Sequence, residues 1–211
     1  MVSLILKGVA APRFIYADGR FWVYRSGLKR AFDLICLVPL FLCFMIALSV
    51  VVTLTPFLNP GPIFYVQDRV GRFGHRFKLY KFRSIQADGT ISRAARFMRK
   101  TRVDELPQIL NVLKGDMSLI GPRPERPELD RLYRTAIPNY DQRLMVRPGL
   151  SGLAQLYLGY TDDVAGARQK LRLDLTYIRH HSLTLDMQIF FNTMKVVFAH
   201  LLHIRIKTAL G

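Results

Sequence analysis

Two adjacent carboxylates, Asp104 and Glu105, stand between a run of cations and a proline in the stretch Lys100-Thr101-Arg102-Val103-Asp104-Glu105-Leu106-Pro107-Gln108. Arg93, Arg96, Arg99, Lys100 and Arg102 precede the pair, and Gly121-Pro122-Arg123-Pro124-Glu125 follows it. Three kinds of chemistry suit such residues. Thr101-x-x-Asp104 has the spacing of a capping box, in which a carboxylate sits near a helix N-terminus. Adjacent carboxylates joined by phosphate oxygens make a magnesium site. An aspartate can also attack a phosphoryl group to give an acyl phosphate. A metal that neutralises the phosphates would assist that attack. Spacing alone leaves all three readings open.

These groups must be positioned by a scaffold of 211 residues, the size of one domain. The formal charge is +16, yet half the residues are hydrophobic. So basic a chain has a polyanionic partner: nucleic acid, an anionic bilayer surface or phosphorylated substrates. Leu34 to Leu54 is a run of 21 residues without a charge, and it favours the second and third of these. As a helix the run spans ~30 Å, enough to cross a hydrocarbon core. Cys36 and Cys43 both lie in it, seven apart, on one helix face where they cannot pair. No disulfide framework or zinc spacing is present. His180-His181 and His200/His203 lack a third metal ligand, and His75 lies in a turn. Neither G-x-G-x-x-G nor a Walker sequence occurs, so neither a Rossmann nucleotide site nor a P-loop is indicated.

Three regions follow from this reading. Residues 1–28 form an N-terminal interfacial arm, with Phe14, Tyr16, Phe21, Trp22 and Tyr24 among basic residues. Its apolar start is too short for a signal peptide. Residues 29–58 form a membrane-inserted helix. Residues 59–211 form a cytoplasmic catalytic domain lying on the membrane. Arg13, Arg20, Arg25, Lys29 and Arg30 flank the apolar run on one side, and Arg69, Arg72, Arg76, Lys78, Lys81 and Arg83 on the other. Basic flanks prefer the cytoplasm, so a helix that enters, bends at Pro39 and returns satisfies both. A single crossing is the alternative. Ile63–Val66 and Phe77–Phe82 are expected as strands, with Gly71 and Gly74 in the turn between them. Residues 91–100 are expected as a basic amphipathic helix suited to anionic headgroups, each cation contributing ~1 kcal/mol. Further helices are expected from Leu106 to Leu113, Glu128 to Ala136, Asp163 to His180 and Leu185 to Ile206. Rigid loops are expected around Gly115–Pro124 and Val146–Gly152. The fold class is mostly α with a small β-hairpin.

An ordered set of motifs carries a resemblance: Lys29-Arg30-x-Phe32-Asp33, Pro60-Gly61-Pro62-Ile63-Phe64, Lys81-Phe82-Arg83-Ser84, Asp104-Glu105-Leu106-Pro107-Gln108, Asn111-Val112-Leu113-Lys114-Gly115-Asp116-Met117-Ser118, Gly121-Pro122-Arg123-Pro124 and Arg147-Pro148-Gly149-Leu150-Ser151-Gly152. From Lys29 to the last helix the chain resembles the bacterial sugar transferases that start glycan assembly, the monotopic polyprenyl-phosphate phosphoglycosyl transferases, in their small catalytic-core form. The resemblance implies that Asp104 displaces UMP from a UDP-sugar and forms a covalent phosphosugar intermediate. Polyprenyl phosphate then attacks and leaves as polyprenyl-diphospho-sugar, the first membrane step of exopolysaccharide or other glycan synthesis. It also implies Mg2+ held by Asp104 and Glu105, with Glu105 assisting in metal or proton handling. Arg99, Arg123 and Arg147 become phosphate or nucleotide contacts, and Pro122 and Pro124 stiffen the Arg123 loop. The implied location is the cytoplasmic face of a bacterial inner membrane, with anionic lipids as partners, no nucleic acid, and homo-oligomer formation compatible with the reading.

Two positions depart from the family pattern. The family breaks its re-entrant helix with a Ser-Pro or similar pair near the middle, where this chain has Ile46 and carries Pro39 seven residues earlier. Arg102 stands where the family often has a small hydroxyl residue. The rivals are a non-enzymatic basic membrane adaptor and a membrane-tethered nucleic-acid binder. Neither needs Asp104-Glu105 or an arginine between two prolines.

Overall fold

The computed structural model describes residues 27–58, 61–86, 88–158 and 163–201. Most of the expected N-terminal arm, Pro60 of the Pro-Gly-Pro motif, the His200 side chain and His203 lie outside the described residues. The first element, α1 (Lys29–Leu58), is a helix of 30 residues, about 45 Å long at 1.5 Å per residue. Its helical pattern runs unbroken across Pro39, so the chain stays helical at the residue where a bend is expected. Two of the basic residues that argued for that bend, Lys29 and Arg30, are used inside the protein instead.

Along one side of α1, Asp33, Leu37, Phe44 and Val51 are buried at spacings of four and seven, the stripe of a heptad seam. Leu37, Phe44 and Val51 join one core with Leu79, Phe82, Ile109, Val112, Leu119, Ile120, Leu173, Tyr177 and Ile189. The Phe44 and Phe82 rings stack at 6.1 Å, and Phe82 and Phe64 at 5.6 Å. The other faces of α1 are bare and apolar, with Ile35 71% and Val38 70% exposed. Ser49 and Thr53 donate their hydroxyls back to the carbonyls of Ile46 and Ser49, which satisfies both hydroxyls within the helix. The helix is therefore a core element on one side and an apolar rod on the other, the surface type that marks contact with membrane or protein.

The strands β1 (Phe64–Val70) and β2 (Arg76–Phe82) form the expected hairpin, antiparallel with Phe64 opposite Phe82. Both run further toward the turn than the apolar residues alone indicated. The basic helix α2 (Arg93–Lys100) starts at Ser92, whose hydroxyl accepts from Ala95 N at 3.1 Å. A 3-10 turn, Val103–Gln108, runs into α3 (Ile109–Lys114), which Gly115 ends in the left-handed region at φ 89°.

The next pairing was not expected. The stretches read as loops contain β3 (Ser118–Ile120) and β4 (Gly149–Ser151), which pair in parallel. Between them lie α4 (Pro127–Ala136) and a 3-10 turn, Tyr140–Met145, which supply the crossover a parallel pair needs. A Cβ on Gly149 would stand 2.1 Å from Gly121 N, so glycine is required for this backbone approach. The chain closes with α5 (Leu153–Tyr157), α6 (Val164–Arg179) and α7 (Leu183–Leu201). Asp163 caps α6 by accepting from Gly166 N at 3.1 Å.

The Lys29-Arg30-x-Phe32-Asp33 motif fastens α1 to this body. Lys29 donates to Asp33 at 3.2 Å and also to Asp186, both buried. Asp33 accepts from Ser118 Oγ at 3.0 Å and Leu119 N at 3.1 Å, and Asp186 accepts from Tyr177 OH at 2.8 Å. Arg30 donates to the carbonyls of Val112 at 2.6 Å and Leu113 at 2.9 Å, at the end of α3 where carbonyls lack helical partners.

Candidate active site

The carboxylate pair lies in the 3-10 turn, and two residues aim it there. Thr101 closes α2: its hydroxyl donates to the carbonyls of Phe97 at 2.9 Å and Met98 at 3.3 Å. The capping-box reading of Thr101-x-x-Asp104 is thereby corrected, because Thr101 ends the preceding helix rather than starting the next. Arg102 then takes a left-handed backbone, φ 61°, which turns the chain out of α2, and its carbonyl accepts from Glu105 N at 3.1 Å. Both carboxylates come to rest buried, Asp104 at 9% and Glu105 at 8% exposure.

Their surroundings differ. Glu105 Oε1 receives Arg123 Nη2 at 2.6 Å and Lys81 Nζ at 3.2 Å, with Arg102 Nη1 at 3.7 Å. Asp104 Oδ1 is buried and has no hydrogen-bond partner among the described residues. Burial opposes the charge on Glu105, but Arg123 and Lys81 outweigh it and hold this carboxyl well below the ordinary range. Asp104 goes the other way. Burial and the neighbouring Glu105 charge push it up to about 6, against the weaker pull of Lys81, Arg102 and Arg99. Two adjacent carboxylates thus have different tasks: Glu105 is a fixed anion that gathers cations, and Asp104 is an unpaired and unusually basic one.

The cations are set by the fold. Lys81 lies on β2, which Asn111 grips through Nδ2 to Lys78 O at 2.7 Å and Oδ1 from Tyr80 N at 3.1 Å. Asn111 is fully buried, so its place in the sequence motif is a strand clamp. The Arg123 loop is held at three consecutive carbonyls. Pro122 O accepts from Gly149 N at 2.8 Å, Arg123 O from Arg143 Nη2 at 2.8 Å, and Pro124 O from Arg69 Nη1 at 3.1 Å. Pro122 and Pro124 are buried, so they stiffen the loop. Arg143 is itself held by Asp174, Nε to Oδ2 at 2.9 Å, with both side chains buried.

Asp104, Glu105 and Arg123 therefore converge as expected, with Arg99 near enough to act on Asp104 through its charge. Arg147 lines a small cavity with Lys29, Asp33, Arg72, Tyr177 and His181. Lys81, Arg143 and Asp174 are not among the site residues expected from the sequence, although Lys81 opens the Lys81-Phe82-Arg83-Ser84 motif. Only Lys81 left a trace: strand alternation turns it away from the core that receives Phe82. Among the described residues no group of three or more His, Cys, Asp or Glu forms a metal cluster, so a cation here would have the carboxylate pair and substrate oxygens. Removing one member of the Arg143–Asp174 pair leaves a buried charge. Arg143→Met is expected to lower stability by about 3–5 kcal/mol. Urea denaturation in detergent checks this, and adding Asp174→Leu should recover most of the loss.

The site thus sets an unpaired carboxylate among lysine and arginine cations, beside a helix with bare apolar faces, and comparison with known proteins gives it a family. Residues 24–200 match the family model for bacterial sugar transferases. The chain is 41% identical over 186 residues to an Aeromonas hydrophila protein named UDP-N-acetylgalactosamine-undecaprenyl-phosphate N-acetylgalactosaminephosphotransferase, covering 81% of this chain and 43% of that protein. It is 38% identical over 186 residues to the exopolysaccharide production protein PSS of Rhizobium leguminosarum bv. phaseoli, covering 79% of this chain and 93% of the relative. It is 35% identical over 182 residues to the UDP-glucose:undecaprenyl-phosphate glucose-1-phosphate transferase of Escherichia coli K12, covering 79% of this chain and 39% of that protein. The chain thus spans less than half of the Aeromonas and Escherichia proteins and nearly all of the Rhizobium one. A match that begins before α1 and runs through the carboxylate pair, the Arg123 loop and α7 leaves one conclusion: the chain belongs to the bacterial sugar transferase family.

Proposed function

We propose that this chain transfers a phosphosugar from a UDP-sugar to polyprenyl phosphate through a covalent intermediate on Asp104. The observation that carries the proposal is the Asp104 carboxylate, buried, unpaired at Oδ1 and raised to about 6 beside the ion-paired Glu105 anion. At neutral pH such a group is ionised and more basic than an ordinary aspartate, as a nucleophile should be. A carboxylate oxygen of Asp104 bonds to the sugar-bearing phosphorus, the bond from that phosphorus to UMP breaks, and UMP leaves with the electron pair. An oxygen of polyprenyl phosphate then attacks the same phosphorus. The acyl phosphate bond breaks, Asp104 returns as carboxylate, and polyprenyl-diphospho-sugar leaves. Guanidinium groups suit phosphate oxygens, and the clamped Arg123 loop meets them with little ordering cost.

Magnesium fits this donor set. Asp104 offers an unpaired oxygen, the cations on Glu105 gather on one oxygen, and the remaining ligands would be substrate phosphates. Asp104 and Glu105 would hold the ion, which when bound would supply neutralisation of diphosphate charge. The bare faces of α1 and the cations of α2 would seat the domain on anionic lipids, so that the site meets a phosphate already at the headgroup level. Because nucleotide sugars are cytoplasmic, the cytoplasmic face of a bacterial inner membrane is the location proposed. The relatives' names give both N-acetylgalactosamine and glucose donors, and the proposal extends to the UDP-sugar class.

The test is a UMP-release screen over UDP-sugars with undecaprenyl phosphate in nanodiscs, paired with intact-mass measurement without acceptor. The expected result is UMP release with one donor and a mass increase of one phosphosugar. Release that requires both substrates, with no adduct, would establish direct transfer instead.

A further inference from the structure

We propose that Arg102 is a donor-recognition residue, which leaves Glu105 to take the diphosphate of the incoming nucleotide sugar. This rests on the transferase reading above and deepens it. Glu105 Oε1 already has Arg123 at 2.6 Å and Lys81 at 3.2 Å. Arg102 is a third cation on the same atom, at 3.7 Å, beyond hydrogen-bond distance. Its side chain is 61% exposed, whereas those of Arg123 and Lys81 are 31% and 18% exposed. It is thus the loosely held member of the cluster, able to swing with little desolvation and without releasing the carboxylate.

Charge gives the destination. Lys81, Arg99, Arg102 and Arg123 act on Asp104 and Glu105, and Glu125 also acts on Arg123, so cations outnumber carboxylates around the pair. A nucleotide sugar's diphosphate, with one negative charge on each phosphate, is the anion that such a net-positive cluster attracts, with or without a divalent ion on the pair. The backbone is compatible with that role. Arg102 holds φ 61°, a region that costs a side-chain-bearing residue energy and that glycine or asparagine enters more easily. Glycine would make the same turn without strain, so nothing in the turn itself requires an arginine.

The experiment compares wild type, Arg102→Gly and Arg102→Lys in nanodiscs, with UDP and uridine as calorimetric probes and UMP release as the kinetic readout. Arg102→Gly suits the left-handed backbone and is expected to fold. Its UDP affinity should fall about tenfold while uridine affinity stays unchanged, because the lost contact is a charge-assisted one to phosphate. KM for the UDP-sugar should rise by a similar factor with kcat within about threefold, and the salt dependence of UDP binding should weaken. Arg102→Lys should recover part of the affinity, as a point charge without the bidentate fork. Unchanged UDP affinity and KM in Arg102→Gly, with wild type active, would overturn the Arg102 assignment alone. Equal losses for UDP and uridine would also overturn it, by showing a structural effect. A wild type that neither binds UDP nor releases UMP from any donor would overturn both this assignment and the transferase reading.

Discussion

Asp104→Asn is expected to abolish the phosphosugar adduct and cut UMP release by at least about 10^3-fold, while making the folded protein more stable at neutral pH. The two effects have one origin. Asp104 is buried, is next to Glu105 and lacks a partner at Oδ1, so its charge is costly to the fold and available to a substrate. Its carboxyl moves from an ordinary 3.8 up to about 6, a difference equivalent to at most about 3 kcal/mol. The folded state therefore binds this proton more tightly than the unfolded chain. Stability falls as pH rises from about 4 to about 6, and the whole cost is present above that window. Below about 4 both states are protonated and the cost vanishes. In EDTA, wild type and Asp104→Asn should denature alike near pH 4, and the variant should be the more stable by about 1–3 kcal/mol near pH 7.5. Normal turnover in the variant would move the nucleophile elsewhere. Equal stability at both pH values would show that the buried charge is compensated.

What the sequence reveals of this site depends on how local each relation is. Asp104, Glu105 and Arg123 are legible because charge and proline within 20 residues mark them. Lys81 is hidden, since nothing near it in the chain tells that β2 runs beside the 3-10 turn; Asn111, 33 residues from Lys78, fixes that. Lys29 and Arg30 read as a membrane flank because their partners are distant: Asp186 is 157 residues from Lys29, and Val112 is 82 from Arg30. The hairpin and the longer helices follow from period and capping residues, as Ser92 and Asp163 show. β3 and β4 do not, because three-residue strands are too short to display alternation, and the glycines that let their backbones meet look like turn residues. At Thr101 the local pattern itself misleads. A hydroxyl three residues before a carboxylate fits a helix start, yet the hydroxyl is taken by the carbonyls of the helix before it.

Glu105→Gln is expected to lower transfer by about 10^2–10^3-fold, the range for loss of one preorganised electrostatic group, and to shift the pH profile as well. Glu105 acts in two ways. It anchors Arg123 at 2.6 Å and Lys81 at 3.2 Å, and its charge raises the Asp104 carboxyl. Glutamine removes both. Lys81 would then be a largely buried cation without its counter-ion, and Arg123 would lose the contact that aims it. The ion pair holds the Glu105 carboxyl below an ordinary 4.5, so its contribution to stability is complete above that pH and is lost only in stronger acid. The variant should accordingly be less stable at neutral pH and recover relative to wild type as the solution is acidified. Asp104, freed from the neighbouring anion while Lys81, Arg102 and Arg99 remain, should titrate lower, so the acid limb of adduct formation moves to lower pH. That movement separates the two roles. If Glu105 only holds side chains in place, the rate falls and the limb stays near about 6. If it also sets the basicity of Asp104, the limb moves and Glu105→Asp restores it in part. An unchanged rate with an unchanged limb would mean that Asp104 acts without its neighbour, and that Lys81 and Arg123 serve the substrate directly.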